Sequence, residues 1–83
     1  MQVAYPCLIS EDGIGLYMAI FPDLPGCMTD GISIVDTIAH ASEALHGCVE
    51  TMMDYNLKIP EPSKLNDITI QEGTRLVWIH IDI

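Results

Sequence analysis

The chain has few basic residues, and this shortage limits the kinds of partner it can have. Only 3 lysines and arginines stand against 12 aspartates and glutamates in 83 residues, which gives a formal net charge of −9 at pH 7. A chain with this charge repels the phosphates of nucleic acids and of anionic membranes. We therefore expect no direct nucleic-acid binding and no membrane association, and we expect a charged partner to be basic.

Long apolar runs and a secretory start are also missing. No run approaches the roughly 18 apolar residues of a membrane span. The N-terminus lacks the basic residues that open a signal peptide. These two absences predict a cytoplasmic protein.

The residues that usually carry chemistry are sparse and dispersed. Cys7, Cys27 and Cys48 form no CxxC pair, so we expect small buried hydrophobic residues in a reducing compartment. His40 and His46 do not have the i, i+4 spacing of a helical metal pair, and His80 stands alone. Glycine-rich phosphate loops and a GxSxG nucleophile motif are absent. We predict no metal, no cofactor and no enzymatic activity.

The sequence does contain enough apolar material for one small folded domain over residues 1–83, because 49% of the residues are hydrophobic. A helix of about six turns is predicted to begin after the N-cap Ser33 and to end near Asn56. Alternating side chains predict strands over Gln2–Ser10, Gly15–Phe21 and Thr74–Ile83. A short strand that ends at Gly31 and a short extended piece over Ile68–Glu72 are also predicted. The predicted fold is α+β, with the order β-β-β-α-β, a small and mostly antiparallel sheet, and one helix packed on one face.

A rigid turn over residues 22–26 joins the second and third strands. Two prolines and a glycine within five positions fix this turn. Asp23 lies inside it, and its carboxylate is expected either to accept hydrogen bonds from nearby backbone amides or to contact a basic group on a partner.

The strands are apolar on both sides, and one helix covers only one side of a sheet. Part of the set Tyr17, Ala19, Phe21 and Trp78 is therefore expected on an open side that another chain covers, in a homo-oligomer or a complex.

The two faces of the helix are predicted from its spacing. The inward stripe is made of Val35, Ile38, Ser42, Leu45, Val49 and Met52, flanked by Ile34, Ala41, Cys48 and Met53. Its outer face is predicted to carry Asp36, Thr37, His40, Glu43, Glu50 and Asp54. Gly47 costs the helix about 1 kcal/mol relative to alanine, which predicts either a close approach to a strand or a local bend.

Several segments together resemble the HicB family of antitoxins. They are Tyr5-Pro6, Phe21-Pro22-Asp23-Leu24-Pro25-Gly26-Cys27, Gly31, the helix from Ser33 through Ala41 and Glu43-Ala44-Leu45, and Ile59-Pro60-Glu61-Pro62-Ser63. The resemblance covers nearly the whole chain. It implies a truncated ribonuclease-H-like domain that binds a small basic HicA-type mRNA interferase toxin and blocks its catalytic surface. The acidic charge suits such a partner independently of the motifs.

The chain departs from the family pattern in two respects. HicB proteins commonly carry a DNA-binding segment after this domain, whereas the sequence stops at Ile83, so no operator binding is assigned to it. A working ribonuclease H holds metal with carboxylates, one of them in the first strand, and Gln2–Ser10 contains none. We therefore expect no nuclease activity.

Seven residues are predicted to bind the partner. They are Asp23 and Leu24 at the tip of the turn, Tyr17, Phe21 and Trp78 on the open side of the sheet, and Glu43 and Glu50 on the acidic face of the helix. The alternative function is a homo-oligomeric scaffold or a small-ligand-binding module that has no toxin partner.

Overall fold

A computed structural model describes all residues from Met1 to Ile83 as a four-stranded sheet with one long helix on one side. In chain order the elements are strands Gln2–Glu11 (β1), Tyr17–Ile20 (β2) and Met28–Gly31 (β3), helix Ile34–Asp54 (α1), a 3₁₀ turn at Leu65–Asp67, and strand Thr74–Asp82 (β4). The strands lie in the order β3-β2-β1-β4, and every neighbouring pair is antiparallel. The predicted α+β fold is confirmed. The extended piece predicted over 68–72 forms no strand.

The start of α1 is fixed by side chains that bond to backbone groups. As predicted, Ser33 is the N-cap, and its hydroxyl accepts a hydrogen bond from the backbone N–H of Asp36 at 3.0 Å. The Asp36 carboxylate in turn accepts from the N–H of Ile32 at 3.0 Å. The first bond satisfies a backbone donor that a helix start leaves unpaired. The second joins the residue before the cap to the helix, and the carboxylate lies at the positive end of the helix dipole.

Helix α1 approaches β3 most closely at Gly31. A Cβ atom at Gly31 would lie 2.4 Å from Oγ1 and 2.7 Å from the backbone nitrogen of Thr37. Thr37 is fully buried, and its hydroxyl donates to the backbone carbonyl of Ser33 at 2.6 Å. Only a glycine allows this contact between the helix and the strand.

The inward face of α1 is a row with a spacing of four residues. It contains Thr37, Ala41, Leu45 and Val49, all of them buried. The predicted inward stripe was therefore partly wrong, because Val35 is 79% exposed and Met53 is 43% exposed. Thr37, which was predicted on the outer face, is inside because its bond to the Ser33 carbonyl satisfies the hydroxyl and removes the cost of burying it.

Strand register decides which side of the sheet meets the helix. Ile9 lies opposite Ala19, and Tyr5 lies opposite Ile79, so the odd-numbered residues of these strands share the covered side. The eleven buried residues of the core are Tyr5, Cys7, Ile9, Ala19, Phe21, Leu24, Cys27, Ala41, Leu45, Val49 and Ile79. Ala19 and Phe21 belong to the set of which part was expected on the open side, and both lie in the core. The register places Ala19 opposite the buried Ile9, and Phe21, two positions further along the chain, is buried on the same side. The prediction of Phe21 on the open side was therefore wrong.

The connection over residues 57–73 is hydrogen-bonded to β1 and to the turn over 22–26. The Tyr5 hydroxyl donates to the backbone carbonyl of Pro60, and burial raises the pKa of this tyrosine, with Asp23 and Glu61 adding to the effect. The carboxylate of Asp23 accepts from both the backbone N–H and the hydroxyl of Ser63. Ile59 packs against the core. The turn over 22–26 is thereby tied to a segment 40 residues away.

His40 links α1 to β3. Its Nδ1 donates to the backbone carbonyl of Asp30 at 2.7 Å, and its Nε2 lies 3.5 Å from a carboxylate oxygen of Asp36. The Asp30 carbonyl, and then the charge of Asp36, raise the pKa of His40 above its ordinary value of 6.5.

Two glycine substitutions should change stability in opposite directions. Gly31→Ala forces its Cβ into Thr37 and should lower the free energy of unfolding by about 3 kcal/mol. Gly47→Ala meets no atom within 4 Å and should raise it by about 1 kcal/mol. Urea denaturation of both variants measures these changes, and a stabilised Gly31→Ala would contradict the close contact.

Removing the Asp23 carboxylate should loosen the connection. Asp23→Ala leaves both Ser63 donors without their partner and should cost about 2 kcal/mol of stability. Glu72→Ala is the matched control, because Glu72 is exposed and accepts no hydrogen bond. The control should stay within about 0.5 kcal/mol of the wild type; equal losses in both variants would argue against the Asp23–Ser63 contact.

The stabilisation contributed by His40 should depend on pH. Because folding raises the pKa of His40, its contribution is fully present below the ordinary value of 6.5 and is lost as the pH rises through the raised value. The difference in Tm between the wild type and His40→Gln should therefore be larger at pH 5.5 than at pH 8.5. A difference that grows with pH would contradict the contact with the Asp30 carbonyl.

Candidate interaction surfaces

The seven residues predicted at an interface do not form one surface. Phe21 and Leu24 are each only 1% exposed and belong to the core, so their placement at the interface was wrong. The turn folds back on itself because Leu24 donates to the carbonyl of Phe21 and Cys27 donates to that of Leu24. This folding turns the side chain of Leu24 inward, although its position in the sequence is the tip of the turn.

Tyr17 and Asp23 occupy two further places. Tyr17 packs against the core on the covered side of the sheet and is partly buried, so its predicted place on the open side was wrong. Asp23 is also partly buried, and its carboxylate is bonded to Ser63. Asp23 thus has a structural role, but its partner is a segment 40 positions away and not the nearby backbone amides that were predicted.

Glu43 and Glu50 lie on the outermost line of α1, opposite the buried row. Residues on this line are spaced alternately by four and three positions, which places them on one face of a helix. They are Asp36, His40, Glu43, Gly47, Glu50 and Asp54, and we name this line the acidic stripe. Helix α1 contains four carboxylates and neither lysine nor arginine. Its outer face is therefore strongly negative.

Only histidines lie close to these carboxylates. His40 is 3.5 Å from Asp36, and His46 is 3.5 Å from Glu50. Neither Glu43 nor Asp54 takes part in an ion pair, and the three basic side chains of the protein form none. The negative charge of the acidic stripe is thus not neutralised within the chain.

Gly47 lies in the middle of the acidic stripe. A Cβ atom there would have no neighbour within 4 Å, so the first of the two predicted alternatives, a close approach to a strand, was wrong. Helix α1 continues through this position. The helix backbone is therefore exposed between Glu43 and Glu50, and a groove beside it is lined by Pro25, Met28, Gly47, Met52 and Leu57, among others.

The open side of the sheet carries apolar side chains that the sequence analysis did not select. The register places Met28, Ile20, Leu8 and Leu76 opposite one another across all four strands, and we name them the apolar row. Met28 is 53% exposed and Ile20 is 43% exposed. These four residues come from four different strands and share the open side, which agrees with the prediction that the strands are apolar on both sides.

Trp78 lies beside the apolar row, on the open side as predicted. It is 40% exposed and is paired with Pro6 of β1. Pro6 itself is buried, so part of the open side is covered. The connection over 57–73 supplies part of this cover, since Ile59, Pro60 and Pro62 lie next to Trp78.

The structure offers little for catalysis. Burial raises the pKa of the Cys7 thiol to about 11, and burial together with the neighbouring Cys48 raises that of Cys27 to about 12, so both remain protonated at neutral pH. All three cysteines are free; Cys7 and Cys27 are buried as predicted, whereas Cys48 is only partly buried. No three histidine, cysteine, aspartate or glutamate residues are grouped to hold a metal ion. The one long helix is not apolar enough to cross a membrane.

One curated protein and several solved structures resemble this chain, and two of these structures are of toxin–antitoxin complexes. UPF0150 protein Ta0767 of Thermoplasma acidophilum is 32% identical over 66 residues, which cover 80% of this chain and 94% of that protein. A chain of the toxin–antitoxin complex from Streptococcus pneumoniae is 23% identical and superposes with a TM-score of 0.85. The match covers 99% of this chain and 70% of that chain. A chain of the HicA3 and HicB3 toxin–antitoxin complex is 27% identical and has a TM-score of 0.71, with coverage of 98% and 100%.

The sequence itself matches a family over almost its whole length. Residues 5–83 match the family described as the HicB-like antitoxin of the bacterial toxin–antitoxin system. This match includes the turn, the helix and the proline-containing connection on which the resemblance was based. The chain therefore belongs to the HicB-like antitoxin family.

Proposed function

We propose that the chain is an antitoxin that neutralises a small basic HicA-type mRNA interferase by covering its RNA-binding and catalytic surface. Family membership and the similarity to a chain of the HicA3 and HicB3 complex support this function. The observation that carries the proposal is the acidic stripe, an outer helix face with four carboxylates and no lysine or arginine. The chain itself carries out no catalysis and meets its partner in the cytoplasm.

The chemistry of the acidic stripe matches what an RNA-binding surface must present. A protein that holds RNA neutralises phosphates with lysine and arginine, so its binding surface is positive. Asp36 and Asp54 are 18 positions apart, and the stripe is therefore about 27 Å long at 1.5 Å per residue. Carboxylates along this length can replace the phosphates of a short RNA segment, which excludes the substrate both sterically and electrostatically.

Gly47 leaves an open space in the acidic stripe between the side chains of Glu43 and Glu50. With no side chain at this position, a long cationic side chain of the toxin can lie against the helix backbone between Glu43 and Glu50. The aliphatic part of a lysine or arginine would pack there while its charged end reaches a carboxylate. This role accounts for a glycine that costs the helix about 1 kcal/mol and has no packing reason within the chain.

The net charge of −9 should also direct the encounter. Opposite net charges raise the association rate, and salt screens this attraction over a Debye length of about 8 Å at physiological ionic strength. The complex should therefore form faster and more tightly at low salt than at high salt.

Charge reversal on the acidic stripe should weaken toxin binding. The double variant Glu43→Lys/Glu50→Lys should bind the basic toxin encoded by the neighbouring gene about 10- to 100-fold more weakly at 50 mM salt, as expected for a loss of about 1–3 kcal/mol. It should also fail to inhibit RNA cleavage by that toxin. Isothermal titration calorimetry and an RNase assay measure the two effects.

Glu11→Lys/Glu72→Lys is the matched control, because it changes the net charge equally at two exposed sites outside α1. It should lose less than about threefold in affinity, which corresponds to well under 1 kcal/mol. Equal losses in both double variants would mean that total charge, and not the stripe, directs binding. A wild-type chain that binds no basic toxin at 50 mM salt would overturn the proposed function.

A further inference from the structure

Two of the three cysteine thiols lie next to each other, although they are far apart in the sequence. Cys27 directly precedes β3, and Cys48 lies within α1. The Cys27 thiol donates to the backbone carbonyl of Ala44 at 3.7 Å. Ala44 precedes Cys48 by one helical turn, so the same carbonyl also accepts the backbone N–H of Cys48. The fold therefore places the Cys27 sulfur against the turn of α1 that carries Cys48.

The direction of the Cys48 side chain brings its sulfur to the same place. Side chains of a helix lean toward its N-terminus and lie over the preceding turn. The Cys48 side chain thus leans back toward Ala44, and Cys48 packs against the core cluster that contains Cys27. The two thiols are hydrogen-bonded neighbours, and this bond adds to burial in raising the pKa of Cys27 to about 12.

The third cysteine is kept apart from this pair. Cys7 lies in β1, and β2 separates β1 from β3 in the sheet. Its thiol is bonded to the backbone of Ile20 and not to another sulfur. Its effect on the pKa of Cys27 is smaller than that of Cys48. The geometry thus pairs Cys27 with Cys48 and leaves Cys7 out.

Solvent reaches only one sulfur of the pair. Cys27 is 2% exposed, whereas Cys48 is partly buried and lines the groove beside Gly47. This groove has a volume of about 540 Å³. Hydrogen peroxide is only a little larger than water and fits into such a space. Because Gly47 has no side chain, nothing closes the groove over Cys48 from that position.

We infer that Cys27 and Cys48 form a reversible modification site, in which hydrogen peroxide oxidises the two thiols to a disulfide. The Cys48 sulfur attacks one peroxide oxygen, the O–O bond breaks, and a sulfenic acid forms with release of one water. The Cys27 sulfur then attacks the Cys48 sulfur, the S–O bond breaks, and the hydroxyl leaves as a second water with the proton of Cys27. Two electrons and two protons pass from the thiols to the peroxide.

Each thiol is suited to its step. Cys48 is the sulfur that the oxidant reaches, and Cys27 holds the proton that the leaving oxygen needs. Contact between the sulfurs replaces an encounter in solution, which offsets the small thiolate fraction of Cys27. Thiol exchange in a reducing compartment restores the pair, so the disulfide is transient. The inference involves residues of this chain alone and does not depend on the proposed toxin partner.

The disulfide would join the start of β3 to the second half of α1. It closes a loop of roughly 20 residues, which restricts the unfolded chain and should raise the Tm by about 10 °C. The oxidised chain should therefore be recognised both by its covalent link and by its stability.

The test treats the purified, reduced chain with about 1 mM hydrogen peroxide under native conditions and then blocks free thiols with N-ethylmaleimide. Cleavage after Glu11, Glu43 and Glu50 places the three cysteines on separate peptides. Mass spectrometry should find peptides 12–43 and 44–50 linked, with the loss of two hydrogen atoms. The higher Tm should return to that of the reduced chain after treatment with dithiothreitol.

Cys48→Ala should abolish both the link and the rise in Tm. Cys7→Ala is the matched control, because it removes the thiol that the geometry excludes, and it should retain both. The peptide map of the wild type decides the question even if a variant fails to fold. A link between Cys7 and Cys27 would overturn the inference. So would a wild type whose three thiols all remain free while Met28 and Met52 gain oxygen, since the oxidant would then have reached the groove without joining the pair.

Discussion

The contact between Gly31 and Thr37 fixes the position of the helix, and the other features depend on that position. Without a Cβ at Gly31, the start of α1 lies directly on β3, and the Thr37 hydroxyl is satisfied within the first turn. From this point the row Thr37, Ala41, Leu45 and Val49 must face the sheet. The carboxylates of the acidic stripe are then turned to solvent, because they lie on the opposite side of the same helix.

Much of this architecture could be predicted from local patterns. The alternation along Val77, Ile79 and Ile81, the Ser33 cap and the rigid turn over 22–26 each act over a few residues, so the sequence alone specifies them. The side to which Phe21 points could not be predicted in the same way. Both faces of its strand are apolar, and only the register against β1 decides which one is covered. The bond between Asp23 and Ser63 spans 40 positions and leaves no local pattern.

Charge is distributed unevenly, and this distribution separates the surfaces by the kind of partner each can accept. Helix α1 carries four of the twelve carboxylates, whereas the charges of β4 cancel. A cationic molecule is attracted to the outer face of α1, whereas β4 repels a negatively charged molecule less than α1 does. The carboxylates of the acidic stripe were predicted on the outer face of α1 from their spacing, whereas the apolar row needed the sheet register.

The bonds between Met1 and Ile83 make the two chain ends depend on each other. Terminal residues commonly loosen first and independently, because little holds them. Here the first residue and the last each donate to the other's carbonyl, so release of either one removes bonds from both. Opening at this corner of the sheet is therefore a concerted event, and slow exchange of the Ile83 amide would be its signature.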